Sequence, residues 1–136
     1  MDQQDPPPGG STPAASPGTD RRQQLGRFGE AYAARYLTDQ GMVLLDRNWR
    51  CSAGEIDLVL RDGDVLVVCE VKTRSSEHFG SALEAVTERK AARLRRLAAR
   101  WLAAHRLRPD DVRIDLVGVL LPPGRPPRVD HVCGVG

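Results

Sequence analysis

Asp57, Glu70 and Lys72 are the residues whose types and spacing most readily suggest chemistry. Two carboxylates and an amine brought to one place can hold a hard divalent cation and steer a water or a phosphoryl oxygen beside it. The runs Glu55 to Leu60 and Val65 to Val71 are rich in β-branched residues and bracket Arg61-Asp62-Gly63-Asp64. Asp-Gly between two such runs predicts a β-hairpin. With Asp62 and Gly63 as the central turn residues, Arg61 faces Asp64, Asp57 faces Val68 and Glu70 faces Glu55. Period-two alternation then sets Glu55, Asp57, Glu70 and Lys72 on one side of the sheet, with Asp57 and Glu70 diagonal neighbours about 7–8 Å apart at Cα. The other side carries Ile56, Leu58 and Leu60 opposite Val65, Val67, Cys69 and Val71, a continuous apolar floor.

Like charges on neighbouring strands repel, and three acids within reach of one another are tolerable when a divalent cation sits between them. Carboxylate oxygens suit Mg²⁺ or Mn²⁺, and the lack of a nearby His or Cys argues against zinc. Lys72 would orient or deprotonate a water, or steady a charged phosphoryl oxygen. The plainer alternative is a charged, solvent-facing hairpin with a Glu–Lys pair.

The basic residues are 18 Arg and two Lys, Lys72 and Lys90. On a helical wheel at about 100° per residue, Arg89, Arg93, Arg96 and Arg100 form one stripe about 16 Å long. Such a stripe matches several phosphates along one strand, and guanidinium forks suit phosphate oxygens. A merely solvated face would mix signs, yet Glu88 is the lone acid among residues 85–109. Lys90 falls on the apolar side with Leu94 and Leu97. There it opposes desolvation and the dipole of a helix starting at Thr87, so it needs an anionic partner: the carboxylate cluster, or a bound phosphate. A lysine snorkelling past the core edge is the alternative.

These side chains must be positioned by elements that the rest of the pattern supplies. A helix is expected near residues 21–40, N-capped by Asp20, with Leu25, Phe28, Tyr32 and Tyr36 on one face and Gly41 as its stop. Met42 to Leu45, continuing through Trp49, reads as a strand. A long helix starts at Ser81 (Ser81-x-x-Glu84 is a capping box) or at Thr87, and ends near Leu107 before Pro109. Arg113 to Leu121 is a further strand, and Arg128 to Cys133 a last edge strand. The class is α/β: a mixed sheet flanked by helices, order α-β-β-β-α-β with that last strand.

Of the 136 residues, the first 19 hold five of the ten prolines and no Lys or Arg, and are read as a disordered Pro/Gly-rich tail. Residues 20–136 are read as a single domain. From residue 21 onward 20 basic side chains face 15 acidic ones, a net +5 that invites polyanions. No run approaches 18 apolar residues, and the start resembles no secretory signal. Three widely spaced cysteines (Cys51, Cys69, Cys133) fit neither a zinc ribbon nor a disulfide framework, so a cytoplasmic setting is expected. Cys69 reads as a small buried hydrophobe. His78, His105 and His131 have no companion at ligand spacing, and Trp49 and Trp101 read as core.

Asp57, twelve residues, then Glu70-Val71-Lys72 resembles the catalytic signature of the PD-(D/E)XK nuclease superfamily, with Ile56 where the signature has Pro. Gly26-x-x-Gly29-Glu30, Asn48-Trp49-Arg50, Gly54 to Val59, Glu70-Val71-Lys72-x-Arg74 and Phe79-Gly80 occur in order. Together they are similar to the bacterial YraN-like family, small proteins related to Holliday-junction resolvases. The resemblance implies a restriction-endonuclease-like fold and a metal-dependent endonuclease acting on branched DNA. It makes Asp57 and Glu70 metal ligands, Lys72 the catalytic lysine and Glu30 an additional catalytic acid. By its position alone, about 140° from Leu25, Glu30 would be a surface residue. Glu55 is a further metal candidate, unless it pairs with Lys72 or Arg74. Asp115 reads as a structural partner for an Arg. Nucleic acid, DNA ahead of RNA, would be held by Arg74, Arg89, Lys90, Arg93, Arg96 and Arg100; resolvase relatives suggest a homodimer, and the lack of a long apolar run leads us to expect no membrane partner. Two rivals stand beside this reading: a non-catalytic nucleic-acid-binding adaptor on the same fold, and an interaction protein whose basic helix meets an acidic surface.

Overall fold

A computed structural model describes residues 17–76 and 88–135. Their elements run α1 (Pro17–Asp39), β1 (Val43–Cys51), β2 (Gly54–Asp62), β3 (Val65–Arg74), α2 (Glu88–His105), β4 (Asp111–Leu120) and β5 (Arg128–Val132). The five strands form one sheet in sequence order. Every neighbouring pair is antiparallel except β3–β4, which is parallel and joined by the crossover that contains α2. The helix-flanked mixed sheet and its last edge strand are as expected. Residues 1–16 of the expected tail, the Ser81–Glu84 capping box, Thr87, His78 and the Phe79-Gly80 motif lie outside the described residues. No helix among the described residues is long and apolar enough to cross a membrane.

The first helix starts at Pro17, earlier than expected, with proline at a position where its missing N–H costs nothing. Its buried face also differs from the aromatic stripe expected. Gly29, Ala33, Ala34 and Leu37 face the sheet, while Phe28 is 54 % exposed and stacks on Tyr32. Close approach explains the choice. A Cβ on Gly29 would collide with the Thr73 side chain and lie 2.8 Å from its Cβ, so α1 sits on β3 at a distance only small residues permit. The bulky rings are thereby turned to the flanks.

The second helix ends before Pro109 is reached. Arg106 adopts φ 55°, and the Leu107 N–H bonds to the Leu102 carbonyl at 3.3 Å, closing the helix with a left-handed cap. Its buried side is Ala91, Leu94, Leu97, Ala98 and Trp101, as the wheel predicts.

The helices lie on opposite faces, so the sheet has two cores. Leu58, Leu60, Val67, Cys69, Val71, Val117 and Val119 pack under α1. Ile56, Val59, Leu66, Val68 and Ile114 pack under α2. This corrects the expectation of one apolar floor and one polar face. The α2 face is core over most of its length, with Glu70 and Lys72 at one end of β3.

Candidate metal and nucleic-acid site

The hairpin turn is displaced by one residue from its expected position. Asp62 pairs with Val65, leaving Gly63 and Asp64 as the central residues. Gly63 takes φ 62°, the left-handed first position of a tight hairpin turn, which glycine fills without strain. The parity of the pairing is unchanged, and Asp57 moves from opposite Val68 to the level of Glu70. The ladder between β2 and β3 stops just short of that pair, at Leu58↔Cys69.

At Asp57 the strand also turns over. Ile56 packs under α2 and Leu58 under α1, although residues two apart on a regular strand share a face. Asn48, with φ 49°, lies between the paired residues Arg47↔Leu58 and Trp49↔Ile56, alongside Asp57. The irregularity frees Asp57 to send Oδ2 sideways, where it accepts the Val71 N–H at 2.8 Å. Burial, followed by the charges of Glu30, Glu70 and Glu55, pushes the Asp57 carboxyl up to about 6 against the pull of that N–H.

Glu70 is nearly enclosed, its side chain 12 % exposed, and carries two ammonium groups on Oε2. Lys72 Nζ is 3.6 Å away, and Lys90 makes a closer ion pair. Lys90 thus points inward from the first turn of α2 to the carboxylate cluster, resolving the cost of its position. On the same helix Arg89, Arg93, Arg96 and Arg100 are exposed. Arg100 Nη1 donates to Ser52 Oγ at 3.2 Å, which ties one end of the stripe to the turn between β1 and β2.

Glu30 is half-buried rather than superficial, and its Oε1 accepts from Asn48 Nδ2 at 3.0 Å. Measured from Ala33, at the centre of the true buried face, it lies only about 60° round the helix. Glu55 is exposed and pairs with Arg50 at 3.4 Å, rather than with Lys72 or Arg74. Arg74 is exposed at the end of β3.

The donor set fits a hard divalent cation. All four candidate acids offer carboxylate oxygens, and the raised Asp57 carboxyl marks a place where negative charge is under-compensated. No three of these acids bring carboxylate oxygens within 4.8 Å of one another. Among the described residues, the trio with ligand atoms within 4.8 Å of one another is instead Asp115, His131 and Cys133.

That trio corrects the expectation that the histidines lack companions, but it is built as a clamp. Asp115 is fully buried and receives four donors: Arg113 Nε and the Gly134 N–H on Oδ1, Arg113 Nη2 and His131 Nε2 on Oδ2. A carboxylate has about four acceptor positions, so none is left for an ion. Burial pushes the Asp115 carboxyl up, and Arg113, the Gly134 N–H and His131 outweigh it, holding it below its usual value. Asp115 is therefore the structural partner of Arg113, with His131 added. The contact of Asn48 with Glu30, and which arginine Asp115 would meet, escaped sequence reasoning. An Asn tolerant of positive φ beside Trp49 was the available signal for the first, and Arg-x-Asp on one strand face for the second.

The fold and this site define a class: an α/β protein whose mixed sheet, covered on both faces, gathers acids and lysines at one end beside an arginine-lined helix. Residues 29–119 match the uncharacterised protein family UPF0102, and the chain belongs to that family. It is 64 % identical over 115 residues to a UPF0102 protein of Nocardioides sp. (strain ATCC BAA-499 / JS614), covering 85 % of this chain and 93 % of the relative. It is 62 % identical over 113 residues to one of Frankia alni, covering 83 % and 94 %. A Streptomyces coelicolor relative is 60 % identical over 116 residues, covering 84 % and 89 %.

Proposed function

We propose that this protein binds DNA and hydrolyses its phosphodiester bonds with the aid of Mg²⁺ or Mn²⁺, branched DNA of repair or recombination being the substrate that its resemblance to resolvases favours. The observation that carries the reading is the delivery, by one strand, of Glu70 and Lys72 beside the buried Asp57, at the edge of a helix bearing a stripe of four arginines. Asp57 and Glu70 would hold the cation, with Glu30 and Glu55 close enough to add to its field. When bound, the ion supplies Lewis acidity to the phosphate and lowers the pKa of a coordinated water. Lys72 holds a water or a phosphoryl oxygen in line. Arg89, Arg93, Arg96 and Arg100 grip the flanking backbone. Lys90 neutralises part of the Glu70 charge.

One observation favours the adaptor reading. Three of the acids already have a partner: Asn48 for Glu30, Arg50 for Glu55, and Lys90 with Lys72 for Glu70. A protein that only binds nucleic acid would need nothing more.

Cleavage of labelled linear, single-stranded, flap and four-way-junction DNA with Mn²⁺ decides between them. Wild type is expected to nick at least one substrate, and Lys72→Ala to lose about 10²-fold or more of that rate, the usual weight of a positioned acid–base group. Binding by wild type without cleavage hands the function to the adaptor.

A further inference from the structure

A second basic surface lies on the other face of the sheet. Alternation along β3 sends Glu70 and Lys72 towards α2, and Val71 and Thr73 towards α1. A cleft of about 230 Å³ opens there, lined by Arg22, Gly26 and Glu30 of α1 and by Val71, Thr73 and Arg74 of β3. Arg22 and Arg74 are exposed, and neither makes an ion pair with a described residue. Gly26 leaves the floor open: a Cβ there would meet nothing within 4 Å. The cleft adjoins the acids directly, because Glu30 is in its wall and the Val71 N–H holds Asp57. By contrast, the cavity beside Pro109 lies near Asp64 and Val65, at the opposite end of β3.

We infer that this cleft seats a phosphate of a second nucleic-acid strand, so that the protein engages two backbones, one on α2 and one on α1, with the carboxylates between them. The inference rests on the nuclease or nucleic-acid-binding reading and narrows its substrate to duplex or branched nucleic acid. Two guanidiniums and a threonine hydroxyl are a phosphate-binding set. Arg22 stands on α1, across the sheet from the α2 stripe, and Arg74 reaches the same cleft from the end of β3, so a strand following the stripe does not need the cleft. Glu30 faces the same cleft and bars an anion from sinking further, towards the metal-binding acids.

Fluorescence anisotropy in EDTA, with one labelled oligonucleotide presented single-stranded, as a duplex and as a flap, tests this on the full chain. Doubly substituted Arg22→Ala/Arg74→Ala is expected to weaken duplex and flap binding by about tenfold or more. Single-strand affinity should change less than about twofold, and the salt slope for duplex should flatten by about 1–2. Gly26→Phe, which fills the cleft while sparing both arginines, should reproduce the loss. Arg93→Ala/Arg96→Ala should weaken all three substrates. Equal weakening of single strand and duplex by the cleft variants overturns the second strand, since one strand would then run through both surfaces. No weakening at all overturns the cleft as a phosphate seat, with the α2 variant still showing that nucleic acid binds. If wild type binds none of the three, the underlying reading falls and takes this one with it.

Discussion

Asp57 concentrates the electrostatic problem of the site in a single side chain. Its folded-state carboxyl titrates near 6, whereas an unfolded aspartate titrates near about 3.9. The folded state therefore holds that proton more tightly, so the stability it contributes is complete below about pH 4 and lost as pH rises through about 6. Asp57→Asn, which keeps an acceptor for the Val71 N–H, escapes the loss. In EDTA it should melt above wild type at pH 7.5, by on the order of 1–3 kcal/mol, and the two melting curves should converge near pH 4. Thermal melts across that range decide, and a gap that persists at pH 4 would point to packing instead. Asp57, Glu70 and Lys72 were legible as a group because side-chain type and period-two spacing survive a shifted turn. The sideways turn at Asp57 was not, since it depends on Asn48 from another strand. Nor was the clamp on Asp115, whose donors come from β4, β5 and the chain beyond.

At the scale of elements, the sheet meander and both helices could be read from periodicity and punctuation, while the seating of α1 could not. Hydrophobic size suggested that Leu25, Phe28, Tyr32 and Tyr36 face inward, yet fit against β3 selects Gly29, Ala33 and Leu37. Helix position is decided there by the smallest residue. Gly29→Ala should cost about 1–3 kcal/mol in urea unfolding, despite the gain in helix propensity. Adding Thr73→Ala should recover part of this, because Oγ1 and Cγ2 are removed while the Cβ 2.8 Å away remains. A double-mutant cycle with no coupling would mean that α1 simply moves aside. The same close packing explains why Glu30 reaches Asn48: a helix held off by aromatic rings would carry it away.

On the scale of the whole molecule, a cluster of acids at one end of the sheet adjoins a helix with a stripe of arginines. If the four-arginine stripe of α2 meets four phosphates, log K against log salt should fall with a slope of about −3. Replacing Arg93 and Arg96 together by Glu should flatten it by about 2 or more. A flat wild-type line would remove the phosphate-binding role, and binding titrations from low to moderate salt check it. The net positive charge of the domain was plain from composition, but its division between two faces of the sheet was not. The topology has a further consequence, in the order of assembly. Strands β1, β2 and β3 form a local meander that already places Asp57, Glu55 and Glu70, while α2 joins only with the long crossover to β4. Local pairings close sooner than distant ones. A nascent meander thus holds Glu70 with Lys72 alone, and docking of α2 delivers Lys90 to it. Docking of α2 in this sense completes the charge compensation of Glu70.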